Sequence, residues 1–251
     1  MADIAETKAS SSSRYTASDP SLYDDHAHQW WDGSKKWVRT LQNMVPGRFK
    51  HFDPLVEAHG GWQGKRVLDL GCAGGFMAEA LAERGAEVTG IDPAQQAIEA
   101  ARSHSSSEGH DIQYDVGVGE KLPYEDASFH HIVCVDVLEH VSDLDKVISE
   151  VSRVLRPGGL FLFDTINRNI LARIAVIHVA EDILRLLPKG THDPSMFIKP
   201  AELKRHFGDH GLKAGKITGL GPAGINGKLD FTFGTLPMTA ILYIGHAKKL
   251  S

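Results

Sequence analysis

A doubly wound α/β fold, with helices on both faces of a mostly parallel seven-stranded sheet, is what this sequence predicts, on three observations. After Gly64, short apolar runs alternate with amphipathic stretches at helical spacing, the pattern of repeated strand–helix units. A glycine-rich turn, Gly71 to Gly75, joins the first of those runs to the first helix, where backbone approaches a ligand closely and helix N–H groups point outward. The 251 residues, 42% hydrophobic and 24% charged, have the composition of a soluble globular chain with a core large enough to fold without disulfides or metal.

Residues 1–20 are rich in Ser, Ala and Thr without apolar periodicity and read as a flexible tail; Asp3 and Glu6 argue against a mitochondrial transit peptide. Residues 21–64 form an N-terminal helical cap, helical and aromatic from Leu22 to His59, with Trp30, Trp31, Trp37, Phe49 and Phe52. The main domain spans 65–251. Its strands are expected at Val67–Leu70, Glu87–Asp92, Ile112–Val118, Phe129–Asp136, Leu160–Thr165, Lys213–Gly219 and Thr239–His246. Helices fall at Phe76–Arg84, stopped by Gly85, and at Ala94 to about Ser103. A further helix is capped by Ser142, carries Val147, Ile148, Val151 and Leu155 on one face, and is ended by Pro157, Gly158 and Gly159; another spans Pro200–Gly211. Residues 168–200 interrupt the alternation as a helical insertion.

No apolar run approaches the roughly 20 residues that cross a bilayer, and no secretion signal is visible, so a cytoplasmic location is expected. Two cysteines, Cys72 and Cys134, make neither a disulfide framework nor a paired zinc motif. A net charge of −5 gives no signal for nucleic acid, so no nucleic-acid partner is expected. The 14 histidines are the compositional oddity.

The string VLDLGCAGGF, Val67 to Phe76, carries the chemistry of the turn. A dinucleotide fingerprint counted from Gly71 would need glycines where Ala73 and Phe76 stand. Asp69 would repel a pyrophosphate and suits a ligand with a cationic amine, as in S-adenosylmethionine. Asp92, at the end of the second strand, is placed to accept hydrogen bonds from ribose hydroxyls. Read blandly, the same residues are a tight turn with two strand-end acids.

These residues resemble the class I S-adenosylmethionine-dependent methyltransferases, with their Rossmann-like sheet, and the resemblance implies a donor site at Asp69, Gly71, Cys72, Ala73, Gly74, Gly75, Asp92 and Pro93. The segment GVGEKLPY, Gly117 to Tyr124, is similar to the family's third motif, with Val118 where many members carry an Asp; adenine recognition then falls to Val118, Gly119 and Glu120. Cys134 and Val135 would line the donor at the fourth strand.

Three further strings narrow the resemblance: VCVDVLEHV (Val133 to Val141), NRN (Asn167 to Asn169) and AEDILRLLPKGTHDPSMFIKPAEL (Ala180 to Leu203). With Trp30–Trp31–Asp32 they look like the ubiquinone-biosynthesis O-methyltransferases, whose acceptors are polyprenyl catechols and phenols. A phenol with a pKa of about 10 is roughly 0.1% ionised at pH 7, so the nucleophilic phenolate costs about 4 kcal/mol without help from a base or a cation. Asp136, Glu139 and His140 lie at i, i+3 and i+4, sharing a face if a helix begins there, and could hold a divalent cation such as Mg2+ or present His140 as base. The resemblance implies the metal role, Asp136 standing for the first Glu of an E-x-x-E-H motif. His192, beside Asp193 as a partner that could orient its ring, is either a catalytic histidine or a residue fixing a lid; His51 and His59 are expected at the surface. Arg48, in VPGRF, corresponds by resemblance to an Arg that contacts the donor or lid.

Between Ile170 and Leu187, apolar residues alternate with Arg168, Arg173, Arg185 and Lys189, a pattern suited either to an anionic lipid surface or to core packing. The resemblance implies a lid touching lipid, a peripheral place at the inner face of the membrane, and membership of a quinone-synthesis complex. Two other readings remain: a natural-product O- or C-methyltransferase on the same fold, and a membrane-associated S-adenosylmethionine-binding subunit without turnover.

Overall fold

The computed structural model describes residues 24, 27–184, 186, 188 and 190–251. The tail expected over 1–20, and Leu22, Arg185, Leu187 and Lys189, lie outside the described residues. The sheet contains β1 (Arg66–Leu70), β2 (Glu87–Asp92), β3 (Gln113–Val116), β4 (Phe129–Cys134), β5 (Leu155–Ile166), β6 (Leu212–Ile225), β7 (Phe231–Leu236) and β8 (Leu242–Lys249). Their order across it is β3-β2-β1-β4-β5-β8-β6-β7. The first five strands run parallel, β8 is antiparallel to both β5 and β6, and β7 closes a hairpin on β6.

The strands read as apolar runs because both faces of the sheet are covered. Leu68 and Leu70 of β1, Ile132 and Cys134 of β4, and Phe161 and Phe163 of β5 enter one core with Val147, Ile148 and Val151 of α4 (Leu144–Val154) and with Leu203 and Phe207 of α6 (Pro200–Asp209). The alternate positions Val67, Val133, Leu160 and Leu162 enter the other, against α1 (Lys36–Glu57), α2 (Phe76–Ala82) and α3 (Gln95–Ser107). The period of two along each strand thus feeds two separate helix layers. Helix α1 also crosses the hairpin: a Cβ on Gly47 would sit 2.4 Å from the Phe233 carbonyl oxygen, so the two backbones meet where only glycine fits.

Several expectations are corrected. Among the described residues the sheet has eight strands, not seven; β7 was not anticipated, and β6 runs on to Ile225. Helix α4 is capped by Asp143, whose carboxylate accepts the Lys146 N–H at 3.1 Å, and not by Ser142. Pro157, Gly158 and Gly159 lie in the irregular start of β5, because the helix has already ended at Val154. The expected helical face from Asp136 is a short 3-10 turn, Leu138–His140, entered through Asp136 at φ 55°. In the insertion, α5 (Ile170–Arg173) widens into a π-helix over Ile174–Ile183. Its Ala172 and Val176 pack on Ile166 and Phe197, while Ile170 is 80% and Ile183 70% exposed.

Candidate active site

A cavity of about 460 Å³ opens at the C-terminal ends of β1, β2 and β4, where the strand order turns back on itself. That switch point is where α/β sheets bind ligands. Its floor is the glycine turn. Gly71 has φ 79° and its Cβ would strike Val137 at 2.2 Å, so a side chain there is excluded. Gly74 and Gly75 do not line the cavity as expected; they admit the Trp30 ring and the Tyr114 hydroxyl from behind. Through that packing Trp30 becomes a wall of the cavity.

Asp69 is buried at 1% exposure, and its Oδ2 has no hydrogen-bond partner among the described residues. Burial first, and the neighbouring Asp92 second, push its pKa up to about 7. A buried carboxylate oxygen without a donor on a cavity wall suits a cationic group. Asp92 accepts the Ala73 N–H at 3.0 Å and the Ala94 N–H at 2.8 Å, which fixes the turn and leaves each oxygen a further lone pair. Burial raises it to about 6 against those bonds. Cys72, Ala73, Pro93, Val118, Gly119 and Val135 line the same space. Cys134 does not; it is fully buried among Leu68, Ile132 and Val147. Glu120 reaches the cavity, but its Oε1 accepts from the Ser142 N–H and hydroxyl at 2.9 and 2.8 Å, and these bonds hold its pKa down despite burial.

Arg48 enters from α1 at 2% exposure. Its Nε donates to Asp164 at 2.6 Å and its Nη2 to Asp136, while the Asp136 N–H donates to Asp164 at 2.9 Å. Asp164 on β5 was not anticipated. The signal available was one carboxylate inside the apolar run LFLFDT, which burial forbids unless it is paired. Asp136 is therefore committed to Arg48.

Glu139, at 1% exposure, accepts the Thr165 hydroxyl through Oε2 at 2.7 Å, and its Oε1 has no partner among the described residues. Burial, then Asp136, push its pKa up to about 8. The His140 and His192 rings face each other with centroids 5.0 Å apart. One ligand atom each from Glu139, His140 and His192 lie within 4.8 Å of one another; Asp136 is not in this group, which corrects the expected trio. Nor does Asp193 orient His192: Asp193 Oδ1 accepts from the Ser195 N–H and hydroxyl. The partner of His192 Nδ1 is Glu181, at 2.7 Å, a buried carboxylate on the π-helix that sequence reasoning missed. Of the two histidines expected at the surface, His59 is exposed and His51 is half-buried; His131 is buried.

Residues 68–163 match the family model of a methyltransferase domain. A curated ubiquinone biosynthesis O-methyltransferase of Azoarcus sp. is 35% identical over 229 residues, covering 91% of this chain and 94% of the relative. One of the same name from Chromobacterium violaceum is 39% identical over 196 residues, covering 78% of this chain and 82% of its own length. Among solved structures, a SAM-dependent methyltransferase of Methanosarcina mazei superposes with a TM-score of 0.59 at 22% identity, over 78% of this chain and 97% of that one.

Proposed function

The chain belongs to the ubiquinone biosynthesis O-methyltransferases, and on that footing we propose that it moves the methyl group of S-adenosylmethionine onto a ring hydroxyl of a prenylated catechol or phenol. The observation that carries this reading is the pairing of two chemistries around one cavity: the unpartnered oxygen of Asp69 at one wall, and His140, with Glu139 and His192 behind it, at another. Asp69 would receive the donor's ammonium and Asp92 its ribose hydroxyls, with the Gly71–Ala73 backbone against the donor. The sulfonium is already activated, so the protein's main task is to hold the acceptor oxygen in line with the methyl carbon. What remains is the acceptor's proton.

Glu139 and His140 are the residues placed to manage that proton or to hold a divalent cation. The donor set fits a cation: a buried carboxylate oxygen lacks a partner among the described residues, and imidazole lies beside it. A bound cation would supply Lewis acidity, lowering the pKa of a ring hydroxyl beside it. Without one, a neutral His140 accepts the proton.

The insertion supports a peripheral membrane contact. No helix among the described residues is long and apolar enough to cross a membrane, yet Ile170, Leu171, Ile174 and Ile183 are turned outward next to Arg173.

The deciding experiment offers labelled S-adenosylmethionine with prenylated catechols, simple catechols and unprenylated phenols, with and without EDTA. Transfer to the oxygen of a prenylated catechol is the expected result. Transfer to carbon, or only to an unprenylated acceptor, would replace this reading with that of a natural-product methyltransferase. Donor binding without transfer to any of them would make the chain a binding subunit.

A further inference from the structure

We propose that His192 completes a cation site with Glu139 and His140, that Glu181 is the positioning residue holding it there, and that this donor set takes a first-row transition ion in preference to Mg2+. The proposal rests on the reading that a cation binds beside Glu139 and His140, and it assigns the third ligand and the class of ion. Four observations carry it.

The three ligand atoms already lie within 4.8 Å of one another, a separation that one ion can bridge with small side-chain movements. Glu139 Oε1 is buried without a partner among the described residues, although Thr165 satisfies the other oxygen of the same carboxylate. Glu181, at 3% exposure, is bound on both oxygens: Oε1 meets His192 Nδ1 at 2.7 Å and accepts the His192 N–H at 3.2 Å, and Oε2 accepts the Gly190 N–H at 2.7 Å. A carboxylate on one ring nitrogen fixes the tautomer and leaves Nε2 as the nitrogen for a second partner, the arrangement that orients metal-bound histidines. Finally, Asp136 is held by Arg48, which removes a second carboxylate from the set. One carboxylate and two imidazoles suit Mn2+, Fe2+, Co2+ or Zn2+, whereas Mg2+ favours oxygen ligands in a tight octahedron.

Glu139 and His140 sit on the turn after β4, while His192 and Glu181 belong to the insertion. The site is complete only when the insertion lies over the sheet. By linkage, an ion that prefers the complete site must favour the closed insertion by the same factor.

The test uses the full chain stripped with a chelator and titrated separately with Mn2+, Co2+ and Mg2+. Mn2+ and Co2+ should bind at least tenfold more tightly than Mg2+, and Mn2+ should slow tryptic cleavage within the insertion. His192→Ala and Glu181→Gln should each weaken Mn2+ binding by about 10- to 100-fold. In the unmodified chain, the electron spin echo of bound Mn2+ should show coupling to two imidazole nitrogens, a readout that needs no variant to fold. One coupled nitrogen, or a folded His192→Ala chain that binds Mn2+ as the parent does, would overturn this proposal and leave the cation reading standing. Mg2+ binding as tight as Mn2+ would overturn the ion class. A parent chain that binds none of the three ions would overturn both.

Discussion

Asp69 and His131 show how burial decides what a titratable side chain can do. With a pKa near 7, Asp69 is only about half ionised at neutral pH, and a cationic ligand must bind its ionised form. Affinity for S-adenosylhomocysteine, which keeps the ammonium, should therefore fall as pH drops through 7, approaching tenfold per unit below it. Calorimetry at pH 6 and 8 would show this, and Asp69→Asn should bind more weakly with a flatter pH response. His131 has both ring nitrogens buried without partners among the described residues, and burial, reinforced by His130, lowers its pKa to about 4. Unfolded, it titrates near 6.5, so below that pH the unfolded chain takes up the proton first. Stability present at neutral pH is then lost between about 6.5 and 4, to a total of about 3 kcal/mol. Urea unfolding at pH 7.5 and pH 5 should show about 2 kcal/mol of this loss, and His131→Leu should remove most of it.

At the scale of elements, the contact between α1 and the β6–β7 hairpin is made by backbone. Gly47→Ala would place a methyl group 2.4 Å from the Phe233 carbonyl oxygen, which cannot yield as a side chain would. A loss of about 1–3 kcal/mol is expected, with faster amide exchange in β7 as its local signature. Gly208 in α6 is the control, since no atom of the described residues lies within 4 Å of its Cβ position; Gly208→Ala should gain about 0.5–1 kcal/mol. The same contact explains why β7 escaped sequence analysis. Asn226–Gly227 just before it is a hairpin signal, but Phe231 to Leu236 has a glycine in its middle and too weak an apolar pattern to read as a strand by itself, and it is held by a helix nearly two hundred residues earlier. By contrast β2, a run of local apolar pattern ending in an acid, is found at the predicted residues Glu87–Asp92. The wall proposed for the donor was legible because Asp69, the glycine turn and Asp92 are local features. The partner of His192 was misassigned because sequence proximity favours Asp193, whereas the π-helix brings Glu181 across from eleven residues away. Arg48 was placed only by resemblance, since its partners Asp164 and Asp136 are supplied by β5 and the end of β4.

For the whole molecule, the outward apolar side chains of the insertion, beside Arg173, are the feature on which the proposed lipid contact rests, and they make it testable. The chain should pellet with vesicles containing anionic lipid and much less with neutral ones. Ile170→Glu combined with Ile183→Glu should abolish pelleting without changing the thermal midpoint, because both side chains are exposed; equal sedimentation with and without anionic vesicles would sink the idea. A last consequence concerns synthesis. The eighth strand lies between the fifth and the sixth, so the β6–β7 hairpin cannot join the sheet until β8 has left the ribosome. Helix α1 leaves early, yet its seat on Phe233 and its Asp164 partner follow only after well over a hundred further residues. At translation speeds of 5–20 residues per second this wait is roughly 10–40 s. Throughout it the cluster that holds Phe49 and Phe52 lacks Leu220 and Ile244, and a nascent chain with part of its core uncovered is a client for chaperones.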